Sequence, residues 1–464
     1  MSATRRGVFA SPAARGTLAA AAVLLCLLGA AAGIARAVRS YDTPGGPYLA
    51  EQKGLFDFHN GTYYPAMAFL RGVNPYSQEI VDAGYPVTRP APLFGPSHFL
   101  LHAPIAALPL RAAEVLYCGI NLALLAATVL IPIHEIRSRR RVEGESCGGY
   151  PVAIFAGWFA FVLFSRPGHV TLTSGYFTAE LAAGTIAVLA WASRRPVAAG
   201  AAFLLVCGKP TYAIPVWITL LINRQWKAAA YSAIAGVAVT SLAIAWLMRY
   251  HSPADLVQGM REGQAAHMAD PYELPVNTWL RIDWAAIVAK WTGTNPSTAM
   301  QLAVMLALYA AVAAAVLLGG RTRKRRDLAA ISEADPELKR GFPLLGWAAT
   351  LQLIAVLLFI YHHVYDALIL VPALIVMAMA ASVWTRRLGF AKRTIAFVLL
   401  SVPFWNYAAS ETLLDRLPIG PIGHAMATSI NTAALTAALG IVYFWGRRRG
   451  GDPDNNVAAA VPNP

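Results

Sequence analysis

Residues 17–38 read TLAAAAVLLCLLGAAAGIARAV, an almost uninterrupted apolar run of 22 residues. At a rise of about 1.5 Å per residue, a helix of this length crosses the hydrocarbon core of a bilayer. The small residues at 30–33 could also form a signal-peptidase site, since Arg5, Arg6 and Arg15 precede the run. The apolar core of a secretory signal is shorter than this run, so we interpret it as an uncleaved membrane anchor.

The chain as a whole is similarly apolar. Of its 464 residues, 57% are hydrophobic and only 13% are charged, about half the charged share of a typical soluble domain. This composition argues against a water-soluble fold and predicts an all-α, polytopic integral membrane protein, a bundle of about twelve transmembrane helices. The apolar stretches that can span or nearly span a bilayer fall at about 17–38, 112–133, 150–165, 176–193, 196–209, 210–222, 228–247, 298–319, 341–361, 364–384, 392–408 and 424–446.

Two short stretches in this series meet at Gly208, Lys209 and Pro210. They could form one helix broken by proline or a hairpin of two half-helices. Basic residues both precede and follow the pair, which favours a hairpin with its two ends on the same side of the membrane.

The distribution of basic residues predicts the orientation. Most of the 38 Lys and Arg residues fall in short segments that would lie inside, so we predict that both termini are cytoplasmic. The two long connections, at about 39–111 and 249–297, then lie outside. The run RTRKRRD at 321–327 is interpreted as a solvated cytoplasmic loop that acts as an orientation signal. Because the basic clusters separate apolar runs, the net charge of +14 indicates contact with membrane lipids and not with nucleic acid.

These features predict a multi-pass protein of the cell (plasma) membrane. We expect one transmembrane domain at 1–446, followed by a disordered cytoplasmic tail at 447–464. A transporter or lipid flippase would need polar residues spread through the spans, and many transporters contain internal repeats. The spans here are apolar and no repeat is evident, so this function is the less favoured alternative. A non-catalytic scaffold is a third possibility, but it would not require the polar residues described next.

The first long connection contains LFDFHNGTYYPAMAFLRGVNPYS at residues 55–77. Asp57 follows two large apolar residues and precedes an aromatic one, so we expect its carboxylate at the membrane interface, where partial desolvation raises its basicity. A carboxylate held there can take a proton from a hydroxyl nucleophile. Alternatively, Asp57 is the N-cap of a helix that runs through Tyr63 and Leu70. The spacing leaves these two interpretations open.

This segment resembles the first outer loop of glycosyltransferase family 87, which contains bacterial polyprenyl-phosphate-mannose-dependent α-mannosyltransferases and related arabinofuranosyltransferases of the GT-C superfamily. The resemblance continues in a proline-rich stretch, in the Gly-Lys-Pro turn at 208–210 and in YHHVYDALILVPAL at 361–374. The residues of the first segment that carry the resemblance are Asp57, Phe58, Tyr63, Tyr64, Leu70, Gly72, Asn74, Pro75 and Tyr76.

The resemblance implies a GT-C-type bundle with two long outer loops and an active site on the outer face. It also implies a mechanism, in which Asp57 deprotonates an acceptor hydroxyl that displaces polyprenyl phosphate from the anomeric carbon with inversion. Mannose is the first expectation for the sugar, and arabinofuranose is the main competitor. The partners are a polyprenyl-phosphate sugar donor, a lipid-linked or glycan acceptor and membrane lipids. No nucleotide-binding signature occurs in the segments predicted to be cytoplasmic, and we expect no cofactor.

Such a reaction also needs groups that hold the donor phosphate. The candidates are Lys209, Arg166, His169, His362 and His363. Lys209 could instead snorkel to the outer head groups, and Arg166 could be a simple interfacial arginine. His362, His363 and Asp366 could form a metal site, but adjacent histidines on a helix point about 100° apart, so we expect no metal.

Polar and aromatic residues of the long connections could contact the acceptor or the sugar. The second connection carries HMADPYELPVNTW at 267–279, whose alternative interpretation is a solvated amphipathic helix. The candidates for acceptor or sugar binding are Tyr63, Tyr64, Asn74, Tyr76, Asp270, Glu273 and Asp366.

Overall fold

The computed structural model describes residues 12–40, 55–90, 94–142, 151–270, 273–331, 343–414, 416 and 418–446. The α-helices among them are α1 Pro12–Ser40, α2 Phe56–Phe58, α3 Tyr64–Leu70, α4 Glu79–Asp82, α5 Pro96–Ala106, α6 Leu110–Val142, α7 Pro151–Phe164, α8 Arg166–Ser174, α9 Thr178–Trp191, α10 Pro196–Cys207, α11 Pro210–Ile222, α12 Trp226–Leu247, α13 Pro253–Ala269, α14 Trp284–Thr292, α15 Thr298–Ile331, α16 Trp347–Phe359, α17 Val371–Ala378, α18 Val383–Arg387, α19 Gly389–Trp405, α20 Glu411–Leu414 and α21 Pro421–Gly446. A π turn spans His59–Tyr63, and 3₁₀ turns span Pro343–Leu345, Val364–Leu370 and Tyr407–Ala409.

The long helices are apolar enough to cross a membrane. Among the described residues, five such spans are Gly16–Arg39, Leu110–Arg141, Trp226–Leu247, Thr298–Leu318 and Pro421–Gly446. Shorter apolar helices lie at Val152–Phe164, Thr178–Trp191, Pro196–Cys207, Pro210–Ile222, Trp347–Phe359 and Val364–Ala378. Each predicted apolar stretch coincides with a helical segment, and the described part of the chain contains no strand. The prediction of an all-α membrane bundle is therefore confirmed.

Helices α10 and α11 form the predicted hairpin. Gly200 packs against Tyr231, and Gly236 packs against Phe203, so α10 and α12 run in the same direction. The chain turns at Lys209, whose backbone is extended, and α11 returns with Pro210 in its first turn. Glycine permits this close helix packing because it has no side chain.

The described residues of both long connections lie at one end of the bundle, which we call the loop end (residues 55–90, 94–109, 249–270 and 273–297). The indole of Trp246, at the end of α12, donates to the Phe69 carbonyl over 2.8 Å and ties the first connection to the bundle. The second connection pairs with the turn after α16: the Ile282 amide donates to the His362 carbonyl over 3.0 Å, and the Val364 amide donates to the Leu280 carbonyl over 2.8 Å. Both connections are therefore fixed to the ends of helices.

Some boundaries differ from the prediction. Helix α15 continues to Ile331, so the run at 321–327 is helical, and its interpretation as a loop is wrong. Arg, Lys, Leu and Ala are strong helix formers, which explains why the helix continues beyond its apolar part. The stretch predicted at 364–384 ends earlier, at Ala378, because Ala380 adopts a positive φ of 47°. The predicted tail at 447–464 lies outside the described residues, as do residues 1–11 and 41–54.

Candidate active site

Asp57 occupies the single helical turn α2, which passes directly into the π turn His59–Tyr63. The turn begins at Phe56 with Leu55 in the N-cap position, so the interpretation of Asp57 as an N-cap is wrong. The Asp57 side chain is partly exposed.

A glycine after α8 brings a second segment to the Asp57 turn. Gly175 has a φ of 72°, and a Cβ atom there would lie 2.7 Å from the Cβ of Phe58 and 2.8 Å from that of Leu55. Only glycine combines this backbone conformation with so close an approach. The contact places the Ser174 side chain within hydrogen-bonding reach of the Asp57 carboxylate.

The charge around Asp57 comes from three parts of the chain. Burial raises the pKa of Asp57 and outweighs the opposing effects of the Ser174 hydrogen bond and of nearby His363 and Arg89. The Glu273 carboxylate is also close enough to raise this pKa. Asp57 is consequently a stronger base than an ordinary aspartate.

Glu273 is the centre of the polar cluster at the loop end. Its carboxylate accepts hydrogen bonds from Arg89 at 3.0 Å and from the Tyr361 hydroxyl at 2.7 Å, and His363 Nε2 lies 3.5 Å away. Arg89 also donates to Asp270, so it links the two long connections. Burial raises the pKa of Glu273, but the hydrogen bond and charge of His363 and the Arg89 guanidinium outweigh it and hold the pKa well below its usual range. Glu273 is therefore a stable anion beside Asp57.

His362 and His363 lie in a non-helical turn between α16 and the 3₁₀ turn, so the expectation that they share a helix is wrong. Their rings nevertheless face different groups. His363 Nε2 lies 2.8 Å from the Tyr361 hydroxyl, and its Nδ1 contacts the Tyr365 hydroxyl. His362 Nδ1 instead faces Asp366 at 3.0 Å. Of these two histidines, only His363 contacts the cluster around Glu273.

Lys209 and Asp366 form a buried layer beneath that cluster. The Lys209 ammonium lies 3.4 Å from Asp366 and 5.3 Å from the ring centroids of Tyr176 and Tyr212. Only 4% of Lys209 is exposed, so its interpretation as a snorkelling residue is wrong. Asp366 also accepts from the Tyr212 hydroxyl at 2.8 Å and from the His363 amide at 3.0 Å. These partners leave the Asp366 carboxylate enclosed by protein donors.

Arg166 begins α8 and His169 lies near its middle, whereas Ser174 ends it. Since Arg166 and Ser174 are eight residues apart, their backbones are about 12 Å apart along the helix. The Arg166 guanidinium donates to the backbone oxygens of Asn406 and Ala409, both at 2.9 Å, and is buried. His169 Nδ1 faces Arg36 at 2.9 Å. The structure therefore separates these two donor-phosphate candidates from the Asp57 cluster.

The remaining candidates of the first connection hold that connection together. The Tyr63 hydroxyl donates to the Leu108 carbonyl, and the Tyr76 hydroxyl donates to the Phe94 carbonyl, both over 2.7 Å. The Asn74 side chain is buried and accepts from the Tyr76 amide at 3.0 Å. Tyr64 is partly buried with its ring edge-on to Tyr63. These contacts give the four residues a structural role that does not depend on a substrate.

Several residues of the cluster were absent from the sequence-based candidates. Tyr361 and Tyr365 flank the histidine pair in the sequence, and that position was the available signal. Arg89 is a single arginine in a proline-rich stretch, and no local pattern distinguishes it. The missed residues include Arg89, Ser174, Tyr176, His267, Tyr361 and Tyr365.

No group of three His, Cys, Asp or Glu side chains in the described ranges is arranged to hold a metal ion. The cluster instead combines a basic, partly exposed carboxylate with anionic, cationic and phenolic side chains at the end of a membrane bundle. Such a cluster is a candidate active site.

Comparison with known families identifies the enzyme class. The model of glycosyltransferase family 87 matches residues 93–334, more than half of the chain, so the chain belongs to glycosyltransferase family 87. It is therefore a membrane glycosyltransferase that uses a sugar donor and an acceptor. The matched region includes Ser174, Lys209 and Glu273, whereas Asp57 and His363 lie outside it. No curated protein and no solved structure matches the chain.

Proposed function

We propose that the enzyme moves a sugar, mannose in the first instance, from a polyprenyl-phosphate donor to a hydroxyl group of a lipid or glycan acceptor at the outer face of the cell membrane. The observation that carries this proposal is the Asp57 carboxylate, whose pKa is raised by burial and which lies near polar groups from three other segments. A transporter would not need such a base, and membership of a glycosyltransferase family favours transfer over transport.

The proposed reaction is an inverting displacement with Asp57 as general base. The acceptor hydroxyl gives its proton to an Asp57 oxygen as the acceptor oxygen forms a bond to the anomeric carbon. The bond between that carbon and the phosphate oxygen breaks, and its electron pair leaves with polyprenyl phosphate. One base is sufficient, because a phosphate is a good leaving group that needs no proton.

The other groups of the cluster are assigned by their exposure and partners. We assign the phosphate contact to His363, because among the donor-phosphate candidates it is the one whose charge acts on Asp57, whereas the Lys209 ammonium faces Asp366. Glu273 and Asp270 are partly exposed acceptors for the hydroxyl groups of a sugar. The tyrosines of the cluster offer ring faces and hydroxyl groups beside them.

The outer location rests on the distribution of basic residues. Both long connections carry the cluster, and the charge distribution of the sequence assigns them to the outer side. A lipid-linked donor is consistent with this location because it needs no cytoplasmic nucleotide site.

The purified protein should transfer radiolabelled mannose from polyprenyl-phosphate-mannose to membrane glycolipid. Polyprenyl-phosphate-arabinofuranose, tested in parallel, is the matched donor, because it carries the same phosphate and lipid. Transfer from the arabinofuranose donor alone would show that the sugar is arabinofuranose and not mannose, and it would leave the proposed mechanism unchanged. Transfer from neither donor by monodisperse protein would contradict the polyprenyl-phosphate proposal.

The rate should fall in acid as Asp57 is protonated. A base works only when deprotonated, and because burial raises the pKa of Asp57, the acidic limb of kcat/KM should lie above the ordinary range of an aspartate. Glu273 should not contribute this limb, because its pKa is held well below its usual range. The measurement is kcat/KM against pH in the wild type and in Glu273→Gln, where the limb should persist but move to lower pH, because the Glu273 charge no longer raises the pKa of Asp57. A limb that disappears in Glu273→Gln would assign it to Glu273 and contradict Asp57 as its source.

A further inference from the structure

A buried glutamate lies behind the Asp57 turn. Glu114, near the start of α6, is fully buried. Its Oε1 atom accepts from the Leu55 amide at 3.2 Å and lies 2.7 Å from His59 Nε2. Its Oε2 atom accepts from Arg111 at 2.9 Å. One carboxylate oxygen therefore holds the residues two positions before and two positions after Asp57.

The geometry of a helical turn determines which side chains of the Asp57 turn face α6. The His59 amide donates to the Leu55 carbonyl over 2.9 Å, so these residues are one turn apart. At about 100° per residue, Leu55, Phe58 and His59 share one face of the turn, and Asp57 lies on the opposite face. Phe58 stacks on Tyr117, one turn along α6 from Glu114, with ring centroids 4.4 Å apart. Helix α6 thus contacts this face of the turn through Glu114 and Tyr117, beside the contact that Gly175 makes with Leu55 and Phe58.

We propose that Glu114 is a positioning residue that aims the Asp57 carboxylate at the reaction site. The proposal rests on the function proposed above, in which Asp57 is the base. By fixing Leu55 and His59 against α6, Glu114 prevents the turn from rotating and keeps Asp57 directed towards Ser174, His363 and Glu273. The hydrogen bonds are charge-assisted and buried, so they hold this orientation more firmly than neutral ones.

Loss of this anchor should affect the chemical step more than substrate binding. In Glu114→Ala, kcat should fall about 100-fold, because a displacement of about 1 Å at a catalytic group has that effect. The KM for the acceptor should stay within about twofold, since Glu114 touches no part of the proposed substrate site. The acidic limb of the pH profile should also move, because the pKa of Asp57 depends on its burial.

The controls separate orientation from stability. Glu262→Ala removes an exposed glutamate of α13 and should change neither kcat nor the limb. Glu114→Gln keeps the side-chain volume, and it replaces the alanine variant if that variant is not monodisperse. A folded Glu114 variant with the kcat and acidic limb of the wild type would overturn the proposal. A reduced kcat with an unmoved limb would overturn it as well, because it would indicate a structural role alone.

A labelling experiment tests the orientation without using activity. Asp57→Cys is prepared in a background in which Cys26, Cys118, Cys147 and Cys207 are serine. Adding Glu114→Ala should increase the rate of labelling by a hydrophilic maleimide about fivefold, because labelling of a partly enclosed thiol follows the free energy of local opening. Labelling of Asp255→Cys, an exposed position, should not change. Unchanged labelling at position 57 on adding Glu114→Ala would overturn the positioning role. If Glu114→Ala speeds the labelling but the wild-type protein transfers no sugar, only the proposed function is contradicted.

Discussion

Asp57→Asn should lower the rate of sugar transfer about 1,000-fold, within the range expected for removal of a general base. Asparagine keeps the size of the side chain and can still contact Ser174, but it cannot accept the proton of the acceptor hydroxyl. The measurement is transfer from polyprenyl-phosphate-mannose by purified, monodisperse protein. Binding of the donor should be little changed, because the phosphate contact is assigned to His363.

The matched control is Asp82→Asn. Asp82 belongs to the same connection but is exposed at the end of α4, so the same chemical change there should leave the rate unaltered. Activity of Asp57→Asn within tenfold of the wild type would exclude Asp57 as the base. Glu273 and Asp270 would then be tested, because both are partly exposed carboxylates of the same cluster.

Lys209→Met should destabilise the protein by about 3–5 kcal/mol, because it leaves the buried Asp366 carboxylate without its cationic partner. The pair is enclosed, with 5% of the Lys209 side chain and none of the Asp366 side chain exposed. The midpoint of thermal unfolding in detergent should fall accordingly. Lys227→Met is the control, since Lys227 is exposed and its loss should leave the midpoint unchanged.

A double variant separates the two interpretations of Lys209. Lys209→Met combined with Asp366→Asn removes both charges, so it should regain part of the lost stability. If Lys209→Met instead kept the midpoint of the wild type while losing activity, Lys209 would be a phosphate ligand, as its position in the sequence suggested. The structure favours the ion pair because the Lys209 ammonium already contacts the Asp366 carboxylate.

The helices were predictable because their signal is local. Apolar length alone locates the spans, and the Gly-Lys-Pro sequence at 208–210 locates the turn of the hairpin. Boundaries were less predictable where a basic run is itself helix-forming, as at 321–327.

Members of the candidate site could be selected from the sequence only where one residue differs clearly from its neighbours. Asp57 does so in an apolar setting, and Glu273 does so in a polar loop. Pairing was not predictable, because Lys209 and Asp366 are 157 positions apart and Arg89 and Glu273 are 184 apart. The sequence could place Lys209 near the membrane, but only the fold reveals that an internal carboxylate, and not a lipid, neutralises it.

The distance between Lys209 and Asp366 along the chain also constrains how the protein is made. At about 5–20 residues per second, synthesis reaches Asp366 about 10–30 seconds after Lys209. During that interval the hairpin of α10 and α11 carries an ammonium group with no counter-ion, and burying it in lipid is costly. We therefore expect the hairpin to stay at the interface or in the insertion machinery until the later helices are made, so that the bundle is completed only after Asp366 has been synthesised.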